Sequence, residues 1–141
     1  MAPRLHQASR QRRILLGLLE DWRRLIKHIL ALRELLKGSV YELKTRCGKA
    51  SCHCASPDGP LHSTIVLSWS EAGRTRLRSL SPQDRPRLRR LAEDYRRFRR
   101  CRAALVKIHR RVLTAVDRLE KALLLPPPPS QKGQRRRRRK A

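Results

Sequence analysis

The strongest chemical signal in the sequence is a group of three cysteines followed by a histidine. Cys47, Cys52 and Cys54 lie within eight residues, and His62 follows eight positions after the last of them. Thiolate and imidazole groups this close together in a glycine-containing loop can surround one Zn²⁺ ion tetrahedrally. Four protein ligands leave no position for water, so we expect a structural zinc ion whose binding energy folds a loop too polar to fold alone.

Other arrangements of these side chains stay open from the sequence. Cys101 or His53 could replace His62 as the fourth ligand, although Cys101 falls on the apolar side of a predicted helix, where a buried free thiol is ordinary. Disulfides would leave one of the three neighbouring cysteines unpaired, and nothing indicates an oxidising compartment. A nucleophilic cysteine is not favoured, because no histidine and carboxylate are placed to serve it.

A helical pattern precedes the cysteines, between about positions 11 and 37. Apolar side chains recur there every three or four residues: Leu15, Leu18, Trp22, Leu25, Ile29, Leu32 and Leu36. This heptad pattern predicts a long amphipathic helix. Residues 1–10 are expected to form a basic N-terminal segment before it, and Gly38 is expected to stop it.

Residues 38–80 are expected to hold the zinc loop and a β-hairpin. Positions 40–44 alternate as in a short strand, and positions 46–62 are rich in Cys, Gly, Ser and Pro without any period. Positions 63–70 are apolar and β-branched, and a turn at 71–73 leads them into a second strand at 74–80.

Basic side chains lie on this hairpin and beside the cysteines. Alternation in the second strand places Arg74, Arg76 and Arg78 on one face, where they could clamp a phosphate backbone, the alternative being an ordinary solvated face. Three further basic residues would offset the negative charge of a site with three thiolates and extend the same surface: Lys44, Arg46 and Lys49.

A second long helix is predicted over residues 81–125. Ser81, Pro82 and Asp84 have the types that start a helix. Its apolar stripe comprises Leu88, Leu91, Tyr95, Phe98, Leu105, Val112, Val116, Leu119 and Leu123, with Cys101 and Ile108 one position before their expected places.

These elements predict a mainly helical α+β fold, in which two long antiparallel, coiled-coil-like helices flank a small zinc-loop β-hairpin. The second helix is expected to be the longer one, so its far end needs another partner, and a homodimer through the long helices would supply it.

The last residues, 126–141, are expected to be a proline-rich spacer and a disordered arginine-rich tail. The tail holds five consecutive arginines that we expect to contact phosphates: Arg135, Arg136, Arg137, Arg138 and Arg139.

Charge is the main guide to the partner. The chain has 36 Lys and Arg against 11 Asp and Glu, a net charge of +25 over 141 residues. Such a chain repels itself unless a polyanion neutralises it, and nucleic acid is the commonest such partner, although the base composition of the genome could also favour arginine. Few aromatic residues argue against a stacking platform for single strands. No apolar run approaches the roughly 20 residues that span a bilayer, so a cytoplasmic protein without membrane contact is expected.

The stretch Gly38-Ser-Val-Tyr-Glu-Leu-Lys-Thr-Arg-Cys-Gly-Lys-Ala-Ser-Cys-His-Cys54, then His62 and Gly73-Arg-Thr-Arg76, resembles a family of short uncharacterised bacterial proteins, a domain of unknown function. The resemblance covers roughly residues 35–105 and includes Tyr95-Arg96-Arg97. It implies a helix, a Cys-Gly-Lys-x-x-Cys-x-Cys loop with a downstream histidine, a hairpin and a long C-terminal helix. Here Gly59-Pro60 precede His62, whereas the family favours His-Gly-Pro.

The sequence therefore predicts a zinc-binding, strongly basic, non-catalytic protein that holds DNA or RNA mainly through phosphates. A helical adaptor that docks to a protein partner, such as a nucleic-acid enzyme, is the alternative. An enzyme is not favoured, because the few acids show no metal-pair or acid/base arrangement: Asp58, Asp84, Glu93 and Asp94.

Overall fold

The helices and strands follow the predicted order in a computed structural model of the chain, which describes residues 2–128. They are α1 (Ala2–Ala31), β1 (Ser39–Thr45), a 3₁₀ turn (His53–Ala55), β2 (His62–Glu71), β3 (Arg74–Ser79) and α2 (Arg85–Leu123). The fold consists of two helices and a small antiparallel sheet and is mainly helical. No helix within residues 2–128 is long and apolar enough to cross a membrane.

Helix α1 begins and ends earlier than predicted. It starts at Ala2, so the expected separate basic segment over residues 1–10 is wrong from position 2 onward. The reason is that the three-and-four spacing of inward-facing residues continues back through Gln11 and Ala8, which are 6 % and 0 % exposed. The helix ends at Ala31, well before Gly38, so the role predicted for Gly38 is also wrong.

Residues 32–37 connect α1 to the sheet without forming a helix. The backbone amide of Leu36 donates a hydrogen bond of 3.2 Å to the carbonyl of Leu91 in α2, which draws the connection away from a helical path. Gly38 then passes close to β2: a Cβ at this position would lie 2.8 Å from the carbonyl oxygen of Ser68. Gly38 is therefore needed for a close approach to β2 and not for ending α1.

The three strands form one antiparallel sheet in the order β1-β2-β3. The predicted hairpin is confirmed, and the predicted short strand pairs with it, so that Tyr41 lies opposite Val66 and Thr45 opposite His62. The turn between β2 and β3 has positive φ at Ala72 (48°) and Gly73 (76°), as a two-residue hairpin turn of the mirror-image type requires.

Helix α2 begins at Arg85, a few residues after the predicted start. Ser81 and Asp84 hydrogen-bond to each other as a cap, but Pro86 decides where the helix begins. Proline has no N–H to donate and is tolerated only in the first turn, so a helix that started near position 82 would break at Pro86.

The predicted stripe of α2 is confirmed in part, since these of its members are half-buried: Leu91, Phe98, Leu105, Val112 and Leu119. The residues that are buried in its second half are spaced by seven: Cys101, Ile108, Ala115 and Ala122. Val116 and Leu123, which were predicted to lie in the stripe, are 46 % and 47 % exposed. This row of the stripe thus runs one position earlier than Val116 and Leu123 suggested, in line with the early positions of Cys101 and Ile108, and alanines take two of the inward positions.

The described residues belong to two compact units. One combines the first part of α1, to Asp21, with the second part of α2, from Ile108. The other spans Trp22–Lys107 and contains the end of α1, the whole sheet, the cysteine loop and the start of α2. In this second unit Arg87 forms an ion pair with Glu34 at 3.6 Å.

Candidate metal centre

The four predicted ligands come together at one end of the sheet. One ligand atom from each of Cys47, Cys52, Cys54 and His62 lies within 4.8 Å of all the others. These four residues therefore lie close enough to hold one metal ion.

Two of the separations are close to the edge lengths of a tetrahedral metal site. The Sγ atoms of Cys47 and Cys54 are 3.5 Å apart, and Cys52 Sγ lies 3.2 Å from His62 Nε2. With metal–sulfur bonds near 2.3 Å, two thiolates on one tetrahedral zinc ion are about 3.8 Å apart. Only small movements of the side chains would be needed to close the shell.

The sheet positions the two ends of the cysteine loop. Thr45, the last residue of β1, pairs with His62, the first residue of β2, so the loop leaves and re-enters the sheet at neighbouring positions. The 3₁₀ turn His53–Ala55 directs Cys54 inward, where it is only 1 % exposed. Gly59 passes close to this turn, where a Cβ would clash with the carbonyl oxygen of His53.

The side chain of Arg46 binds the backbone of the cysteine loop. Its guanidinium donates hydrogen bonds to the carbonyl oxygens of Cys54, Ser56 (2.9 Å) and Pro57 (3.3 Å). Arg46 was predicted as a contact for nucleic acid, and the structure gives it partners inside the loop instead. Sequence reasoning missed this role because backbone carbonyl acceptors leave no trace in residue types.

The two alternative ligands lie elsewhere. His53 is exposed, with Nδ1 3.7 Å from Cys52 Sγ and its ring centre 5.0 Å from that of His62, beside the ligand group and not within it. Cys101 is a buried free thiol in α2, as predicted, and is not a member of the group.

The surroundings of Cys47 and Cys52 shift the pKa values of these two thiols in opposite directions. The backbone amide of Lys49, followed by the side chains of Cys54 and Cys52, lowers the pKa of the Cys47 thiol to about 6. The pKa of Cys52 is raised: the backbone amide of Cys54 acts to lower it, but desolvation and the neighbouring Cys47 and Cys54 outweigh that effect. Cys47 is therefore a thiolate at neutral pH, the form in which cysteine binds metals.

The other predicted basic residues within the described part of the chain lie on the surface. All six residues of β3 are exposed, and β3 is an edge strand, so Arg74, Arg76 and Arg78 project from one face of an open edge. Arg76 forms an exposed ion pair with Glu71 at 2.9 Å. Lys44 and Lys49 are also exposed. The tail arginines Arg135 to Arg139 lie outside the described residues.

Comparison with known proteins places the candidate metal centre within a sequence family. A family model described as "Domain of unknown function (DUF6788)" matches residues 10–90, more than half of the chain and including all four ligands. No curated protein and no solved structure matches the chain.

Proposed function

Because this chain belongs to the family of DUF6788, a domain of unknown function whose description names no activity, we propose a function from its own residues. The protein is a zinc-stabilised, strongly basic, non-catalytic module that binds DNA or RNA mainly through phosphate groups.

Zinc is the metal that best suits the ligand group. Three thiolates and one imidazole form a soft donor set, with the tetrahedral count that structural zinc sites use. The metal would join the start of the loop, at Cys47, to the first residue of β2, at His62. Its role is to fix the loop against the sheet, because all four coordination positions come from the protein.

The observation that carries the nucleic-acid proposal is the exposed arginine edge of the sheet. Arg74, Arg76 and Arg78 repeat every second residue, about 6.6 Å apart along the strand, and all three are exposed on a strand that, among the described residues, pairs on one side only. The ion pair of Arg76 with Glu71 is more than half exposed on both sides, so it is weak and can be exchanged for a phosphate. The net charge of +25 favours such an exchange.

Charges on an edge strand also have a simpler role, because they prevent two edges from pairing. A variant in which Arg74, Arg76 and Arg78 are all replaced by Gln keeps polar side chains at the edge and removes three positive charges. A matched control replaces Arg10, Arg12 and Arg13, exposed residues of α1, in the same way.

The test is a filter-binding titration of a DNA and an RNA duplex at several salt concentrations. The logarithm of the affinity is expected to fall steeply with that of salt, by about 0.9 for each phosphate neutralised. The edge variant should lose more affinity than the control, with a slope shallower by about 2 to 3. Affinity independent of salt, or equal losses in both variants, would refute the arginine edge as the binding surface.

A helical adaptor remains the second candidate function, favoured by apolar side chains that the helices leave exposed. Leu16 and Leu113 are both 64 % exposed, and Leu30 is 78 % exposed. Such side chains could form a coiled-coil-like interface with a second copy or with another protein. Because α1 already extends back to Ala2, an unpaired end of α2 is no longer a strong reason for a dimer. A strict monomer by light scattering, together with a nuclease-resistant protein partner, would favour the adaptor over both the dimer and the nucleic-acid module.

A further inference from the structure

A second site lies in the unit formed by the beginning of α1 and the end of α2. It is a pocket of about 410 Å³ in which side chains of both helices meet. Its polar lining comprises Gln11 from α1 with Arg110, Arg111, Thr114 and Arg118 from α2. None of these residues was among the predicted functional residues.

Gln11 is the unusual member of this lining. It is 6 % exposed, and its Oε1 atom is fully buried, yet no donor among the described residues lies within hydrogen-bonding distance of it. The inward-facing neighbours of Gln11 along α1, Ala8, Leu15 and Leu18, are all apolar. A buried amide oxygen without a donor destabilises a fold, so a polar side chain at this place in an apolar stripe is expected to have a polar partner.

The charged side chains that line the pocket are all positive. Three guanidinium groups line the pocket, and no carboxylate does. Within residues 2–128, Arg110, Arg111 and Arg118 form no ion pair. Thr114 donates its hydroxyl hydrogen to the carbonyl of Arg110 at 3.0 Å. The site thus offers several donors and no internal anion to use them.

We propose that this pocket binds a phosphate group. Guanidinium groups bind phosphate oxygens through paired, charge-assisted hydrogen bonds. A turn of about 180° about the last side-chain torsion exchanges Oε1 and Nε2, so the Gln11 amide can donate Nε2–H to a phosphate oxygen or accept at Oε1 from a ligand hydroxyl. The phosphate comes either from a nucleic-acid backbone, which would extend the proposed function, or from a small phosphorylated ligand.

The experiment follows the side-chain amide resonance of Gln11 and the backbone amide of Thr114 by NMR in the full-length, metal-loaded protein. The Gln11 resonance is identified by its loss in Gln11→Leu. Two probes are added at constant ionic strength: inorganic phosphate, and a single-stranded decanucleotide without terminal phosphates. Saturable shifts with phosphate indicate a small phosphorylated ligand, and shifts with the oligonucleotide alone indicate a backbone phosphate. Either result supports the pocket.

Variants distinguish binding at this pocket from general attraction by the positive charge of the protein. Replacing Arg111 and Arg118 together by Gln should weaken binding at Thr114 about tenfold or more, as expected for losing hydrogen bonds to a charged ligand. The same change at Arg96 and Arg99, in the other unit, should leave it unchanged. Gln11→Leu should melt at the same or a higher temperature but bind phosphate about tenfold more weakly.

Two results would refute the proposal that the pocket binds phosphate. One is the absence of any shift at Gln11 and Thr114 with either probe, and the other is equal weakening in the pocket variant and in its control. The salt-dependent filter binding proposed for the arginine edge would remain in that case, so failure of the pocket and failure of the nucleic-acid proposal are distinguishable.

Discussion

The four candidate ligands differ in how deeply they lie in the protein. Cys54 is buried, Cys52 and His62 are half-buried, and Cys47 is exposed. Cys54 also accepts a hydrogen bond from the backbone amide of Cys47 at 3.4 Å. Cys54 is therefore the central member of the group, and its replacement should destabilise the whole loop.

Replacing Cys54 by Ser should release the metal and lower the free energy of unfolding by about 3–4 kcal/mol, because the energy of metal binding is also folding energy. Zinc content by mass spectrometry and thermal unfolding measure the two effects. Cys101→Ala is the matched control and should keep its zinc, since that thiol lies in α2 outside the group.

Alkylation of the native protein provides an independent check at the same residues. The three loop cysteines should resist iodoacetamide until a chelator is added and then react, whereas the buried Cys101 should resist in both conditions. A metal-free protein that is fully folded, with Cys47, Cys52 and Cys54 open to alkylation, would contradict the zinc proposal.

At the scale of the elements, the sequence predicted the ligand group and the hairpin better than the helix ends. The cysteine spacing and the Ala72-Gly73 turn are local signals, and both were confirmed in place. The bounds of α1 depended on which residues are buried against other parts of the chain, as Ala8 and Gln11 are, and such packing is not local. The start of α2 was recoverable from Pro86, which the prediction did not weigh.

Ala72 offers a test of the hairpin turn. A residue with a Cβ is strained at φ 48°, by about 1 kcal/mol or more, and glycine removes that strain at some cost in unfolded-state entropy. We expect Ala72→Gly to raise the free energy of unfolding by about 0.5 kcal/mol and Gly73→Ala to lower it. Chemical denaturation of both variants measures the difference. A loss of stability in Ala72→Gly would show that the turn is of another type.

For the whole molecule, net charge is the dominant property. A charge of +25 on 141 residues makes the folded state repel itself, and salt screens that repulsion. The arginines proposed to contact phosphate lie in both compact units, on the β3 edge in one and in the pocket lining in the other. Sequence reasoning found the first group by its strand alternation. It missed the second because Arg110, Arg111 and Arg118 become neighbours of Gln11 only through tertiary folding.

We therefore expect the melting temperature to rise between about 50 and 500 mM sodium chloride. At low salt it should rise further when a nucleic-acid duplex is added, because a ligand that binds only the native state stabilises it. Differential scanning calorimetry distinguishes the two effects. A melting temperature that falls as salt is added would show that ion pairs, and not repulsion, control stability.

The pairing of Thr45 with His62 makes one residue both the first rung of the β1–β2 ladder and a candidate metal ligand. Loss of the metal would then open the β1–β2 pairing from that end, and within residues 2–128 β3 pairs only with β2. Low zinc in the cell would thereby destabilise the arginine edge as well as the cysteine loop. Under the proposed function, the affinity of this protein for a polyanion would depend on the concentration of available zinc.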